Sequence, residues 1–197
     1  MLGANFLKKI IMPDFLNVGN ILQELDLKED MIGAEFGCGS ANFAIILAKK
    51  LKKGKVYALD IQEEKLSALN GKLAKEKIDN VYTILCDLEA KNGSTLVNNY
   101  LDLVLIPNVL FQAENKHAII EEAKRILKPG GQILIIDWLP ASAQGFGMAK
   151  KSSSFSPKEG LANPLEVKKI AKDLGLILKK EFATGDYHYA LIFIKPR

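Results

Sequence analysis

The sequence predicts an α/β domain whose mostly parallel sheet is covered by helices on both faces. Three observations predict it. Strand-length apolar runs alternate with helix-length amphipathic segments from Met31 onward; a glycine turn, Gly37-Cys38-Gly39, joins the first strand to the next helix; and two strand-like runs close the chain as a hairpin. Right-handed crossovers bring the carboxyl ends of the parallel strands to one edge, where such sheets bind ligands.

With 197 residues, 48% of them hydrophobic, the chain can bury one core and is read as one domain. Its 27 basic and 23 acidic residues are interspersed, so the net charge of +4 neither requires nor excludes a nucleic-acid partner. Cys38 and Cys86 lie beside strand ends with no secretory signal, so no disulfide framework and a cytoplasmic location are expected. Residues 1–12 lack a long apolar core and read as neither signal peptide nor membrane span. Two histidines without metal-ligand spacing give no expectation of a metal.

Residues 5–11 and 15–25 carry apolar side chains at helical spacing, the second set placing Phe15, Val18, Ile21, Leu22 and Leu25 on one face. These N-terminal helices either pack on the sheet or cover its ligand edge. Met31–Phe36 reads as a short buried strand. Gly37 and Gly39 then allow a sharp turn with no Cβ to keep a ligand away, and the turn's amides stand at a helix N-terminus, which favours acceptor or anionic atoms. The helix from Asn42 buries Phe43, Ile46, Leu47 and Leu51 and stops at Lys53-Gly54. Lys55–Asp60 is the second strand, Leu66, Leu69 and Leu73 mark the next helix, and Val81–Cys86 is the third strand.

Leu101–Ile106 is a fourth, nearly all-apolar strand ended by Pro107-Asn108. Asn115–Leu127 is a helix with Ile119, Ile120, Ala123, Ile126 and Leu127 inward, and Lys128–Gly131 a turn into the fifth strand, Gln132–Trp138. Residues 139–156, with Phe146 and the pair Lys150-Lys151, have no clean period, and loops of that length in compact domains are often functional. Asn163-Pro164-Leu165-Glu166 starts the last helix. Leu176–Phe182 and Tyr187–Lys195 form the closing hairpin.

Three carboxylates fall at or near consecutive strand ends. Asp60, 21 residues beyond Gly39, either accepts both ribose hydroxyls of an adenosine or caps the helix that follows. Asp87 either accepts from an adenine amine or stabilises a turn; Glu35 precedes the glycine turn. His188, at the start of the last strand, is a candidate base or a structural histidine. Phe111, Trp138, Phe146 and Tyr187 wall an apolar substrate pocket or belong to the core.

Together these residues resemble the class I S-adenosylmethionine-dependent methyltransferases. The matching segments are AEFGCGSANFA (34–44), VYALD (56–60), CDLE (86–89), LDLVLIPNVLFQ (101–112) and RILKPGGQILIIDW (125–138). The resemblance spans residues 27–195, and implies a Rossmann-like three-layer sandwich with a seven-stranded sheet, order 3-2-1-4-5-7-6, the last strand antiparallel. It divides the domain into N-terminal helices (1–26), a cofactor-binding half (27–138), and a substrate loop with closing hairpin (139–197).

Carried over by position, Glu35, Gly37, Cys38 and Gly39 shape the methionine end, Asp60 and Ile61 hold the ribose side, Asp87 and Leu88 the adenine, and Asn108 the methionine moiety. Many relatives have a third glycine where this chain has Ala41. The segments 155–182 and 182–196 look most like small-molecule methyltransferases related to quinone-biosynthesis enzymes, and His188-Tyr189 matches a recurrent pair. The implied cofactor is S-adenosylmethionine, leaving as S-adenosylhomocysteine, and the implied partner a small-molecule acceptor, with the chain a monomer or homodimer. RNA or protein methylation and a non-catalytic cofactor-binding module are the alternatives. A nicotinamide-dependent oxidoreductase is disfavoured by Asn42 at the third glycine position of the dinucleotide fingerprint.

Overall fold

The computed structural model describes residues 16–39, 42–139, 162–185 and 187–197. In chain order these form α1 (Val18–Leu22), β1 (Ile32–Phe36), α2 (Asn42–Lys50), β2 (Lys55–Asp60), α3 (Glu63–Glu76), β3 (Val81–Leu85) and β4 (Leu101–Pro107). A 3₁₀ turn (Leu110–Gln112), α4 (Lys116–Ile126), β5 (Leu127–Trp138), α5 (Pro164–Asp173), β6 (Ile177–Thr184) and β7 (His188–Ile194) follow. The seven strands make one sheet, in the order β3-β2-β1-β4-β5-β7-β6. β1 to β5 run parallel, while β7 is antiparallel to both β5 and β6. This is the topology the resemblance implied.

Strand periodicity builds the two faces. On β4 and β5, Leu103, Leu105, Leu134 and Ile136 point toward α1, α2 and α3, whereas Val104, Ile106, Ile133 and Ile135 point toward α4 and α5. All eight are buried, each contributing about 1.5–3 kcal/mol of hydrophobic stabilisation. Because both faces are covered, the central strands read as continuous apolar runs rather than alternating ones.

α1 packs Val18, Ile21 and Leu22 into the first core. Asn17 caps it by accepting from the Asn20 amide at 3.1 Å. The helix expected over residues 5–11 lies outside the described residues. Asn115 and Asn163 cap α4 and α5 in the same way.

One sequence expectation is corrected. Lys128–Gly131 does not precede the strand but lies within it as an irregularity: β5 begins at Leu127, which pairs with Leu101, the register then slips so that Leu103 pairs with Gln132, and Gly130 at φ +80° bends the chain between them. Backbone pairing overrides the local Pro-Gly signal, since Gly130 N donates to Lys195 O at 2.7 Å and Lys195 N to Gly131 O at 3.0 Å. A Cβ on Gly131 would meet the side chain of Leu127, earlier on the same strand, at 2.7 Å and Asp102 O of β4 at 3.0 Å, so a side chain there is crowded chiefly by Leu127.

Candidate functional site

The carboxyl ends of β1, β2, β3 and β4 open onto a cleft of about 660 Å³, within the size range of small-ligand sites. Glu35, Gly37, Gly39, Asp60, Ile61, Asp87, Leu88 and Asn108 all line it, so nearly every expected cofactor residue meets at one place. Cys38 does not line it. Its side chain is fully buried beneath the turn, where burial pushes the thiol up to about 12. Leu16 and Val18 also form part of the wall, so the N-terminal segment both packs on the sheet and borders the cleft.

The glycine turn is held from below. Gly37 N and Cys38 N donate to Leu59 O at 2.7 and 3.1 Å, and Gly39 N donates to Asp60 Oδ2 at 3.1 Å. These three amides are thus spent on the tip of β2, and not left unpaired as a helix N-terminus suggested; the turn offers the cleft its bare Cα surface. Gly37 adopts φ +71°, and a Cβ there would sit 2.5 Å from Val109 Cγ2, so the residue after Asn108 packs directly on the turn. Ser40 and Ala41 lie outside the described residues.

Asp60 lines the cleft and also braces the entry to α3, where Oδ1 accepts from Gln62 N at 3.0 Å. Asp87 likewise accepts from Glu89 N at 2.9 Å as a turn residue while it faces the cleft. Glu35 is almost wholly buried and accepts from Ala44 N at 2.7 Å. Burial chiefly, with the neighbouring Asp60 charge, pushes its carboxyl up to about 8. Beside Glu35, which burial favours in its neutral form, the lining holds three further acidic side chains, Asp60, Asp87 and Glu89, against one lysine, Lys65, a balance that favours a cationic ligand. Ile61 is largely exposed at the rim, where it adds an apolar surface.

Asn108 has φ +55°, and its amide donates to Ile136 O at 2.8 Å. Its Oδ1 is buried without a hydrogen-bond partner beside the cleft. A buried acceptor left so is costly until a donor reaches it. The residues present therefore fit S-adenosylmethionine: carboxylates for hydroxyls and cationic groups, an apolar rim, and an orphaned acceptor.

Phe111, Trp138 and His188 gather separately, at the carboxyl end of β5. The Phe111 and Trp138 rings meet edge to face with centroids 6.5 Å apart, and the Trp138 ring lies 4.2 Å from His188 across the β5–β7 pair. His188 is buried, its Nε2 has no partner, and desolvation pulls the imidazole down to about 4. Tyr187 is half-buried, and its backbone oxygen accepts from Leu139 N at 2.7 Å. None of these four lines the cleft; they stand beyond β4 at the same sheet edge. Phe146 and Lys150-Lys151 lie outside the described residues.

Sequence reasoning missed Asp137, a fully buried acid at the end of β5. It accepts from Phe111 N and Trp138 N at 3.1 and 2.8 Å. Among the described residues, no group of histidines, cysteines or carboxylates is disposed to hold a metal, and no helix is long and apolar enough to cross a membrane.

Known proteins share this architecture. A crystal structure of a SAM-dependent methyltransferase from Aquifex aeolicus superposes with a TM-score of 0.77 at 26% identity, over 91% of this chain and 89% of that one. The ubiquinone/menaquinone biosynthesis C-methyltransferase of Hydrogenovibrio crunogenus is 32% identical over 62% of this chain and 48% of its own length. Ribosomal RNA-processing protein 8 of Arabidopsis thaliana is 27% identical over 81% of this chain and 43% of its own. The chain thus spans about half the length of the curated relatives it matches. The methyltransferase domain family matches residues 27–181, from just before β1 into β6, so the glycine turn and the cleft's carboxyl groups fall within it: the chain belongs to that family.

Proposed function

We propose that this chain, a methyltransferase that uses S-adenosylmethionine, transfers the methyl group by direct displacement to a small-molecule acceptor. The observation that carries the reading is the acidic cleft, with an orphaned Asn108 Oδ1 on one side and Phe111, Trp138 and His188 one strand beyond. In it, Asp60 takes the ribose hydroxyls with Ile61 beside them, Asp87 and Leu88 take the adenine, and Glu35 and the bare surface of Gly37 and Gly39 bound the methionine end. Asn108 Oδ1 accepts from the methionine ammonium.

The cofactor, when bound, supplies a methyl carbon made electrophilic by its sulfonium. The protein's task is then alignment and exclusion of water, which contributes about 7–11 kcal/mol in favourable systems. His188, buried and pulled down to about 4, stays neutral but is a weak base for an acceptor's proton, so its support here is as a wall beside Trp138. A small acceptor is supported by the half-buried Phe111–Trp138 ring pair and by the similarity to a quinone-biosynthesis enzyme. The 27% similarity to a ribosomal RNA-processing protein keeps RNA as the competing acceptor.

The test is transfer of radiolabelled methyl from S-adenosylmethionine to two panels, phenolic and quinol small molecules and total RNA, with the Asp60→Ala variant as control. Label in a small molecule, lost in the variant, supports the reading. Label in RNA alone overturns the small-molecule acceptor, and calorimetric cofactor binding without label in either panel favours a non-catalytic module.

A further inference from the structure

The 3₁₀ turn Leu110–Gln112 starts without a side-chain cap of its own. Its first amides, like those of any helical turn, have no partner within it. The cap comes from 26 residues later and one strand away: Asp137 Oδ2 accepts from Phe111 N at 3.1 Å, while Oδ1 accepts from Trp138 N at 2.8 Å. The turn it holds is one wall of the cleft, since Asn108, Val109, Gln112 and Ala113 line it, and Val109 packs against Gly37.

We infer that Asp137 is a positioning residue, whose carboxylate fixes the β4–α4 wall of the cofactor cleft and registers it against the strand carrying Trp138. The chain of contact runs from Asp137 through the Leu110–Phe111 backbone and Val109 to the glycine turn. The inference rests on reading the cleft as the cofactor site. It goes beyond that reading by assigning a role to an acid that touches neither cofactor nor acceptor.

The grip depends on charge. Burial pushes the Asp137 carboxyl up to about 7, against the backbone amides of Trp138, Phe111 and Leu110 and the more distant Lys116 of α4, all of which favour the anion. The Tyr189 phenol, beside it on β7, is pushed well above its usual range by burial, then by Asp137 and by Glu166 of α5, and stays neutral. Lys116 itself stands 4.0 Å from Glu166. The anion accepts from every amide at once, whereas protonation converts one oxygen from acceptor to donor, so the wall is held more firmly above pH 7 than below it.

The test compares wild type with Asp137→Asn, by calorimetric titration of S-adenosylhomocysteine at pH 6 and pH 8. Emission of Trp138, the single tryptophan of the chain, is followed between pH 5 and 9. The wild type is expected to bind about tenfold more tightly than the variant at pH 8, the gap closing to about threefold or less at pH 6. Its emission should show a transition near pH 7 that the variant lacks. Equal affinities at pH 8, or a gap of the same size at both pH values, overturn the inference. If wild type binds no S-adenosylhomocysteine at either pH, the cofactor reading fails, and the emission transition alone then decides Asp137. Should the variant not fold, hydrogen exchange of the Leu110 and Phe111 amides in wild type replaces it: protection that falls between pH 8 and pH 6, corrected for intrinsic rate, supports the inference, and constant protection overturns it.

Discussion

Asp60 Oδ2 accepts the Gly39 amide at 3.1 Å, joining the tip of β2 to the turn that follows β1. With Oδ1 on Gln62 N, one carboxylate braces two of the loops that border the cleft, those after β1 and β2, and still has lone pairs free for hydroxyl donors. Asp60→Ala is therefore expected to weaken S-adenosylhomocysteine binding by about 10–100-fold, the scale of a charge-assisted hydrogen bond. Loss of its bracing alone costs about 1 kcal/mol and a few degrees of melting temperature. Calorimetry beside thermal melts separates the two. Unchanged affinity with a lowered melting temperature would leave Asp60 as a brace only.

Gly37 and Val109 set the second expectation. Alanine at position 37 meets Val109 Cγ2 at 2.5 Å and must also hold φ +71°. The left-handed conformation costs about 1–2 kcal/mol for a residue with a Cβ, and the overlap adds to it. Gly37→Ala should lower stability and cofactor affinity together. Adding Val109→Ala should recover the steric part and leave the backbone part, a coupling that a double-mutant cycle in urea measures. Strict additivity would mean that the two residues do not touch.

How much of this was legible in the sequence follows from where each signal sits. β2 falls on Lys55–Asp60 as expected, because an apolar run bounded by glycine and an acid fixes both ends locally. Gly39 and Asp60, 21 residues apart, are each legible as parts of one site because each carries a local mark, a turn residue and a strand-end acid, but the hydrogen bond between them is not, since the turn's amides read as unpaired. The sequence pattern starts β5 at Gln132, since nothing local says that Leu127 pairs with Leu101 or that Gly130 and Gly131 pair with Lys195. Asp137 was invisible for the same reason. Its partner is a backbone amide on another element, which leaves no mark in the sequence around it.

Glu35 gives a pH dependence with a definite sign. Its carboxyl rises from the ordinary 4.5 to about 8 in the folded chain, so the fold favours the protonated form. That contribution is fully present below about pH 4.5 and is lost as pH rises through 8. Glu35→Gln keeps an oxygen for the Ala44 amide and removes the titration. The variant should therefore gain on the wild type as pH rises from 5 to 8, by at most about 1.4 kcal/mol per pH unit. Urea midpoints at pH 5 and pH 8 check it. Parallel curves would place the Glu35 pKa near its ordinary value.

His188 acts in the opposite direction. Desolvation lowers its imidazole from 6.5 to about 4, so the fold favours the neutral ring, and the stability this contributes above pH 6.5 is lost as pH falls through 4. His188→Gln removes that acid limb: wild type should lose stability relative to the variant between pH 6.5 and pH 4, again by at most about 1.4 kcal/mol per unit. The Trp138 ring, 4.2 Å away, supplies a second readout, because a charged imidazole at that distance changes indole emission. The same tryptophan then reports two groups through two transitions, one near pH 4 abolished by His188→Gln and one near pH 7 abolished by Asp137→Asn. If either variant removed both, the two groups would titrate as one coupled unit, although His188 faces the α1 side of the sheet and Asp137 faces the α4 side.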